Sequence, residues 1–433
     1  MDYTPNLSDF QKKPFRPPVA ALGNNTESTP TNKKRSHKQR YALRNQSAIT
    51  LGTESRVYSC GKVPANKFAI DGGLRPGVSM SESGRAGIHG VSSCGSAYTC
   101  PVCAIKIAEK KRQQIQKALK KHYEQGGTAV LVTWTFSHGP REQLTVMIKQ
   151  FMKALSRMKG RRGFTKAVSE VGYQGQIRSL EVTYGENGWH PHAHEIWLFE
   201  GKPTFSELKQ LEAALYELWA KVAVQCGLGK PSKKHGIDIR ATTKSGADVV
   251  AKYISKWGHE LTYHHTKKSG RGGRSPWQIL GDLHETYKNY NHREYTRNKN
   301  LWQEYARAMH GRAQLFWSKG LKAKYGIDDK SDKEFATLPD RQHMHTFDDI
   351  EWHLVRKYNK FSQVLAAAEK SRPWLLRYLS ALVNREKRRL KSFEETKRSI
   401  RIHTVSVTRE LKSSGLSDWQ NYTDYIRIRE LRR

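Results

Sequence analysis

The sequence predicts an α+β protein: an antiparallel sheet with helices on one face, a cysteine-rich metal-binding part before it and a helical C-terminal region after it. Three observations predict this. Between residues 127 and 260, β-branched and aromatic runs alternate with amphipathic stretches of helical spacing. Four of the 5 cysteines fall before position 104. From Thr346 onward, apolar residues recur at helical spacing.

Bulk charge narrows the function. Lys and Arg number 76 against 40 Asp and Glu, a net charge of +36 spread from the first segment to the last. So basic a chain meets a polyanion, most often nucleic acid. Only 37% of residues are hydrophobic, so long stretches are expected to be exposed or disordered. No apolar run approaches the ~20 residues of a membrane span. The start, Met1 to Pro5, lacks an apolar signal core. A cytoplasmic protein without a membrane partner is expected.

Residues 1–50 are polar and carry the basic run Lys33 to Arg40, which reads as a disordered arm along phosphates. Residues 51–126 hold the cysteines and a basic helix. Cys100-Pro101-Val102-Cys103 forms a tight turn that aims two thiolates at one ion, and Cys94 adds a third. Cys60 and His89 compete for the fourth place. An odd count with one tight cluster suggests metal-held thiols, and a closed thiolate shell suits structural Zn²⁺. In the helix that follows, Ile107, Ile115 and Leu119 share a stripe. Lys110, Lys111 and Arg112 belong to its basic remainder, expected to contact phosphate. Cys226 reads as a buried thiol on an amphipathic helix.

Residues 127–260 hold the sheet. Thr128–Phe136 reads as a central strand. Pro140 opens a helix with Leu144, Ile148, Phe151, Met152 and Leu155 inward, ending at Lys159-Gly-Arg161-Arg162-Gly163, a turn with three cations. Ile177–Tyr184 turns at Gly185-Glu-Asn-Gly188 into a second strand, a hairpin. That strand carries His190, His192 and His194, which alternate and so share a face with Ile196 and Leu198. Glu181 stands mid-strand opposite the region of His192 and His194, a costly place for an unpaired carboxylate. Two histidines and a carboxylate with open positions suit Mn²⁺ or Mg²⁺ when phosphates fill the rest. His190 is a further candidate. A capping box, Thr204 to Glu207, starts the next helix. Gly236–Arg240 reads as a short strand. In the helix Asp248–Trp257, Tyr253 and Lys256 share a face at i, i+3. A phenolate helped by a nearby cation and metal can attack a phosphodiester, giving a phosphotyrosine and a free hydroxyl end.

Residues 261–335 begin with a flexible basic loop, Lys267, Lys268, Arg271 and Arg274, suited to phosphate. Trp302, Tyr305, Phe316 and Trp317 either pack in a core or stack on unpaired bases. Residues 336–433 read as basic helices. Ile350, Leu354, Tyr358, Phe361 and Leu365 form one stripe, and Arg385 to Arg401 is strongly basic. DNA binding or partner binding is expected there.

Three pieces in order, Leu-Val-Thr-Trp-Thr (131–135), His-Pro-His-Ala-His (190–194) and Lys-Tyr-Ile-Ser-Lys (252–256), resemble the motifs of HUH endonucleases. More specifically they resemble those of rolling-circle plasmid replication initiators. Cys60 and the Cys-Gly-x4-Cys-Pro-x-Cys run with its basic helix are similar to that family's zinc-bearing N-terminal part, and the likeness covers roughly residues 55–330. The resemblance implies a palm-like nuclease domain. His192 and His194 would be the metal pair, Glu181 the third ligand and His190 a ligand or a supporting group. Tyr253 would be the nicking nucleophile and Lys256 its stabilising partner. The implied partners are plasmid origin DNA and its nicked single strand, in a bacterial cell. Positions 249 and 257 are Val and Trp, so no second tyrosine stands one turn away, and Asp248 is the nearest carboxylate for a water-mediated second cleavage. No Gly-x4-Gly-Lys-Ser/Thr is present, so a host helicase is expected beside a host polymerase. A relaxase or transposase of the same superfamily is the alternative, and a non-catalytic zinc-dependent DNA-binding protein is the other.

Overall fold

In the computed structural model of the chain, residues 30–65, 75–81, 84–241, 273–288, 291–337 and 342–413 are described. The order begins with α1 (Pro30–Leu51), α2 (Arg56–Ser59), β1 (Gly77–Met80), β2 (Ala86–His89) and α3 (Pro101–Glu124). It continues with β3 (Thr128–Trp134), α4 (Leu144–Lys159), α5 (Arg162–Ser169), β4 (Tyr173–Gly185), β5 (Gly188–Phe199), α6 (Phe205–Gln225) and β6 (Ile237–Ala241). Next come α7 (Pro276–Lys288), α8 (His292–Ala308), β7 (Leu315–Trp317), α9 (Leu321–Lys324) and α10 (Asp332–Thr337). The last elements are β8 (Gln342–Thr346), α11 (Asp349–Lys357), α12 (Phe361–Ala368) and α13 (Arg372–Ser413).

The α+β class and the antiparallel pairing are as the sequence predicts. Five strands pair in the order β6-β3-β5-β4-β7. The β4–β5 hairpin closes at Gly185 opposite Gly188. Gly188 has φ +79, and an added Cβ there would lie 3.0 Å from the Pro140 backbone, so a side chain is excluded on two counts. The hairpin register sets Glu181 opposite His192, Ser179 opposite His194 and Thr183 opposite His190.

The sheet's two faces differ. Val130, Val132 and Trp134 of β3 with Ala193, Trp197 and Phe199 of β5 bury one face in a core shared with Ile148 and Phe151 of α4 and Leu215 and Trp219 of α6. The other face was expected to lie bare, and it does not. Ala129, Ile177, Ile196 and Leu198 pack there with Ile115, Ala118 and Leu119 of α3, and with Leu315, Trp317, Leu321, Tyr325 and Ile327. The apolar stripe of the basic helix is what covers that half of the sheet. Among the described residues, this apolar cluster stops short of the N-terminal end of β5, where the histidines stand.

One carboxylate lies inside the first core. Glu195 is fully buried and accepts from Trp134 Nε1 (3.0 Å), Trp197 Nε1 (2.8 Å) and Lys159 Nζ (2.5 Å). Lys159, expected as one cation of an exposed turn, is therefore an interior partner. Burial pushes its ammonium down to about 8, against the Glu195 charge that raises it. Burial would lift the Glu195 carboxyl, but Lys159 and Arg178 hold it below its ordinary 4.5. Glu195→Gln leaves the ammonium buried without its charge partner. It should lower stability by about 3–5 kcal/mol in a urea titration, with Glu195→Gln/Lys159→Met recovering part of the loss. The sign on the acid side follows from the depressed carboxyl. Below pH 4.5 the unfolded chain takes up the proton first, so the pair's contribution is lost as pH falls. Glu195→Gln should flatten that slope.

A second sheet, β2-β1-β8, joins residues far apart in sequence. Its core holds Val78 and Ile88 with Met344, Trp352, Val355, Val364, Leu375 and Leu379 of the C-terminal region. Tyr41 of α1 stacks on Phe361 there (5.3 Å, 3°). Residues 30–51, expected within a disordered arm, thus form a helix between both cores. Its buried side is partly polar, and several of those groups are hydrogen-bonded. Arg44 Nη1 donates to the Cys60 carbonyl (2.9 Å), Ser47 Oγ to the Thr99 carbonyl (2.7 Å), and Trp302 Nε1 to Ser47 Oγ (3.3 Å). The single stripe expected over Ile350–Leu365 is two helices. The chain breaks at Asn359, φ +49, and Ile350 is exposed. No described helix is long and apolar enough to cross a membrane.

Candidate metal centres

At the free end of the sheet, ligand atoms of Glu181, His192 and His194 all lie within 4.8 Å of one another. Glu181 Oε2 is 3.3 Å from His192 Nε2 and 3.1 Å from His194 Nε2. Strand alternation makes this possible, because β4 and β5 pair Glu181 directly with His192 and set His194 one step along the same face. The far ring nitrogens are held. His192 Nδ1 lies 3.2 Å from the His190 carbonyl, which can only accept, so this nitrogen carries the proton. His192 then aims its Nε2 at a carboxylate oxygen. Two imidazole nitrogens and a carboxylate oxygen that converge in a mostly buried place form a donor set that fits a divalent cation. His194 Nδ1 meets Thr133 Oγ1 at 3.1 Å across the β3–β5 pairing. Thr133→Val keeps the shape and removes that partner. It should weaken Mn²⁺ binding about 10–100-fold by calorimetry.

His190 does not join the convergent set. Its Nδ1 lies 2.6 Å from His138 Nε2, and His138 Nδ1 lies 3.1 Å from the Asn187 carbonyl. Burial, then His192 and His138, push the His190 imidazole down to about 4, so it is neutral at physiological pH. Thr133 and His138 had no role in the sequence reading. Thr133 stood inside the 131–135 motif, and only strand register reveals its contact. A lone histidine at 138 carries no signal of its own.

The second centre is sulfur only. Cys60, Cys94, Cys100 and Cys103 are buried and converge. Cys60 Sγ lies 3.7 Å from Cys100 Sγ and 3.5 Å from Cys103 Sγ, and Cys94 Sγ lies 3.6 Å from Cys103 Sγ. Disulfide sulfurs would be far closer. Tetrahedral thiolates about 2.3 Å from one ion stand about 3.8 Å apart, so the cluster fits zinc. Hydrogen bonds from the other three thiols hold Cys103 well below the ordinary thiol range. Cys60 takes the fourth place. His89 sits on β2 against His343 (5.5 Å), outside the sulfur group.

The residues expected to bind phosphate divide. Lys111 is buried, pairs with Asp332 (3.2 Å) and lies over the Phe335 ring (4.9 Å), so it is structural. Burial lowers its ammonium. Arg112 pairs with Glu109 (2.6 Å), and Lys110 is half-buried. Arg274 donates to Asp282 (2.8 Å) and Asn298 (3.0 Å), so it fastens α7 and α8 to the end of β4, where it bridges Tyr184. Trp302, Tyr305 and Trp317 are buried, whereas Phe316 is exposed under the Arg178 guanidinium (4.7 Å). Tyr253, Lys256, Asp248, Lys267, Lys268 and Arg271 lie outside the described residues.

The family model described as "Replication protein" matches residues 86–363. A Streptomyces lividans protein called "Protein rep" is 28% identical over 307 residues, 58% of this chain and 67% of that one. A Streptomyces cyanogenus protein called "Neomycin resistance protein" is 31% identical over 145 residues, 28% of this chain and 33% of its own length. No solved structure matches.

Proposed function

The chain belongs to the replication protein family, and from that premise we propose that it is a plasmid replication initiator that nicks one origin strand for rolling-circle synthesis. The observation that carries the nuclease reading is the convergence of Glu181, His192 and His194 on one point at the open end of the sheet. We propose Mg²⁺ or Mn²⁺ as the ion these three residues hold, and Zn²⁺ for the four cysteines. A divalent ion there would act as a Lewis acid on phosphodiester oxygens. Thr133 and the His190 carbonyl keep the two imidazoles in the ligating tautomer.

Tyr253 is the proposed nucleophile, with the Lys256 ammonium favouring its phenolate. Tyr253 Oη bonds to phosphorus as the bond from phosphorus to the 3′ oxygen breaks. The electron pair stays on that oxygen, which takes up a proton and becomes the 3′-hydroxyl that primes synthesis. One phosphodiester replaces another, so the step is reversible and the 5′ end stays attached to the protein. Asp248 is the proposed base for water in a later cleavage, and unwinding and synthesis fall to host enzymes. A purely DNA-binding zinc protein would have no use for two imidazoles and a carboxylate converging on one point. Membership of a replication family also favours initiation over a relaxase or transposase role.

The test incubates the protein with Mn²⁺ or Mg²⁺ and supercoiled DNA of its own replicon, beside Tyr253→Phe. A denaturant-resistant adduct and relaxed circles, both lost in Tyr253→Phe, are expected. An adduct that persists in Tyr253→Phe moves the nucleophile elsewhere. Binding without nicking under either metal removes the nuclease reading.

A further inference from the structure

The helix α13 leaves the body of the protein. Its first turns are anchored, with Leu375, Leu379 and Leu382 buried in the C-terminal core. Glu386 ties it to the end of α11, accepting from Lys357 Nζ (2.9 Å) and Tyr358 OH (2.6 Å) as well as from Arg389 (3.0 Å). From Asn384 to Glu395, every other side chain is exposed. Residues 387–413 thus continue the helix for about 40 Å.

Its charge is one-sided. Five of the seven residues from Arg385 to Lys391 are cationic. Among the described residues, no carboxylate pairs with Arg385, Lys387 or Arg388, and Lys391 meets Glu395 only at 3.9 Å. At about 100° per residue, Lys387, Arg388 and Lys391 fall in one arc turned away from Glu386 and the body. A cationic helix held at one end and exposed from Lys387 to Glu395 matches the spacing of charge on a nucleic-acid backbone. A second copy of the same helix would bring like charge against like charge.

We infer that α13 beyond Glu386 is a duplex-DNA docking helix, with Lys387, Arg388 and Lys391 contacting backbone phosphates. This rests on the replication reading for the identity of the DNA and not on the nicking chemistry. The test is therefore binding alone. Full-length protein, without added Mg²⁺ or Mn²⁺, is titrated into labelled origin duplex over a range of salt concentrations. The Lys387→Glu/Arg388→Glu/Lys391→Glu variant should bind at least about tenfold more weakly, with a log-affinity against log-salt slope shallower by about 2–3. Its circular dichroism and zinc content should match the wild type. The milder Lys387→Gln/Arg388→Gln/Lys391→Gln variant should move the same way by less, which separates lost contacts from a disturbed helix. Unchanged affinity and slope in both variants would overturn the inference. So would a Leu390→Ser/Phe393→Ser variant that splits a dimer in sedimentation while the charge variants bind normally, since the helix would then serve a second copy. Failure of nicking with this salt signature intact would count against the nuclease reading only.

Discussion

Replacing His192 and His194 together by alanine should abolish metal-dependent adduct formation, by at least about 10³-fold, while origin binding stays within a few-fold. The asymmetry follows from the geometry. Both imidazoles point their Nε2 atoms at Glu181 Oε2 and neither belongs to the sheet's apolar cores. Removing them subtracts two of the three converging ligands and leaves the apolar cores in place. Added Mn²⁺ should raise the melting temperature of the wild type alone. A Mn²⁺ shift that survives in the double alanine variant would assign the ion to other residues.

Cys103→Ser should have the largest effect on folding. Its sulfur lies within 3.6 Å of both Cys60 and Cys94 and at the start of α3. The cluster joins the turn after α2, the loop before α3 and α3 itself, so the ion would hold three segments together at one point. Structural zinc in such sites contributes on the order of 10 kcal/mol, as much as the whole stability of many domains. The variant should lose its equivalent of zinc by elemental analysis and unfold or aggregate at temperatures where the wild type is stable. A strong chelator should do the same to the wild type, reversibly on zinc return. A Cys103→Ser protein with unchanged melting and no bound zinc would mean that the four thiols are packing groups.

The part of the site that rests on strand alternation was legible in the sequence. A period of two places His192, His194 and Glu181 on one face, and a four-residue turn fixes their register. What register does across neighbouring strands was not legible. Thr133 reaches His194 from β3, and nothing near either residue announces the other. Charge was the poorest guide. Lys111, Lys159 and Arg274 look like solvated cations in sequence, yet each meets a carboxylate about 220, 36 or 8 residues away. Polar composition misled in the same way over residues 30–51. That helix is buried through hydrogen bonds and not through an apolar stripe, so the usual periodicity is missing. The strands β1 and β2 escaped notice because they are four residues each, and their sheet gains its third member only from β8.

That third member has a consequence for how the chain is made. β1 and β8 are separated by about 260 residues. At roughly 5–20 residues per second, β8 leaves the ribosome roughly 13 to 50 s after β1. The strands from β3 to β6 have by then all emerged and can pair in the order β6-β3-β5-β4. The N-terminal pair β1–β2 must wait half-finished, with Val78 and Ile88 uncovered, until the C-terminal segment arrives to close over them. A nascent chain stalled before Gln342 would therefore present an orphaned hydrophobic edge, a natural target for chaperones. The order of translation makes the C-terminal region the final clasp on the first segments synthesised.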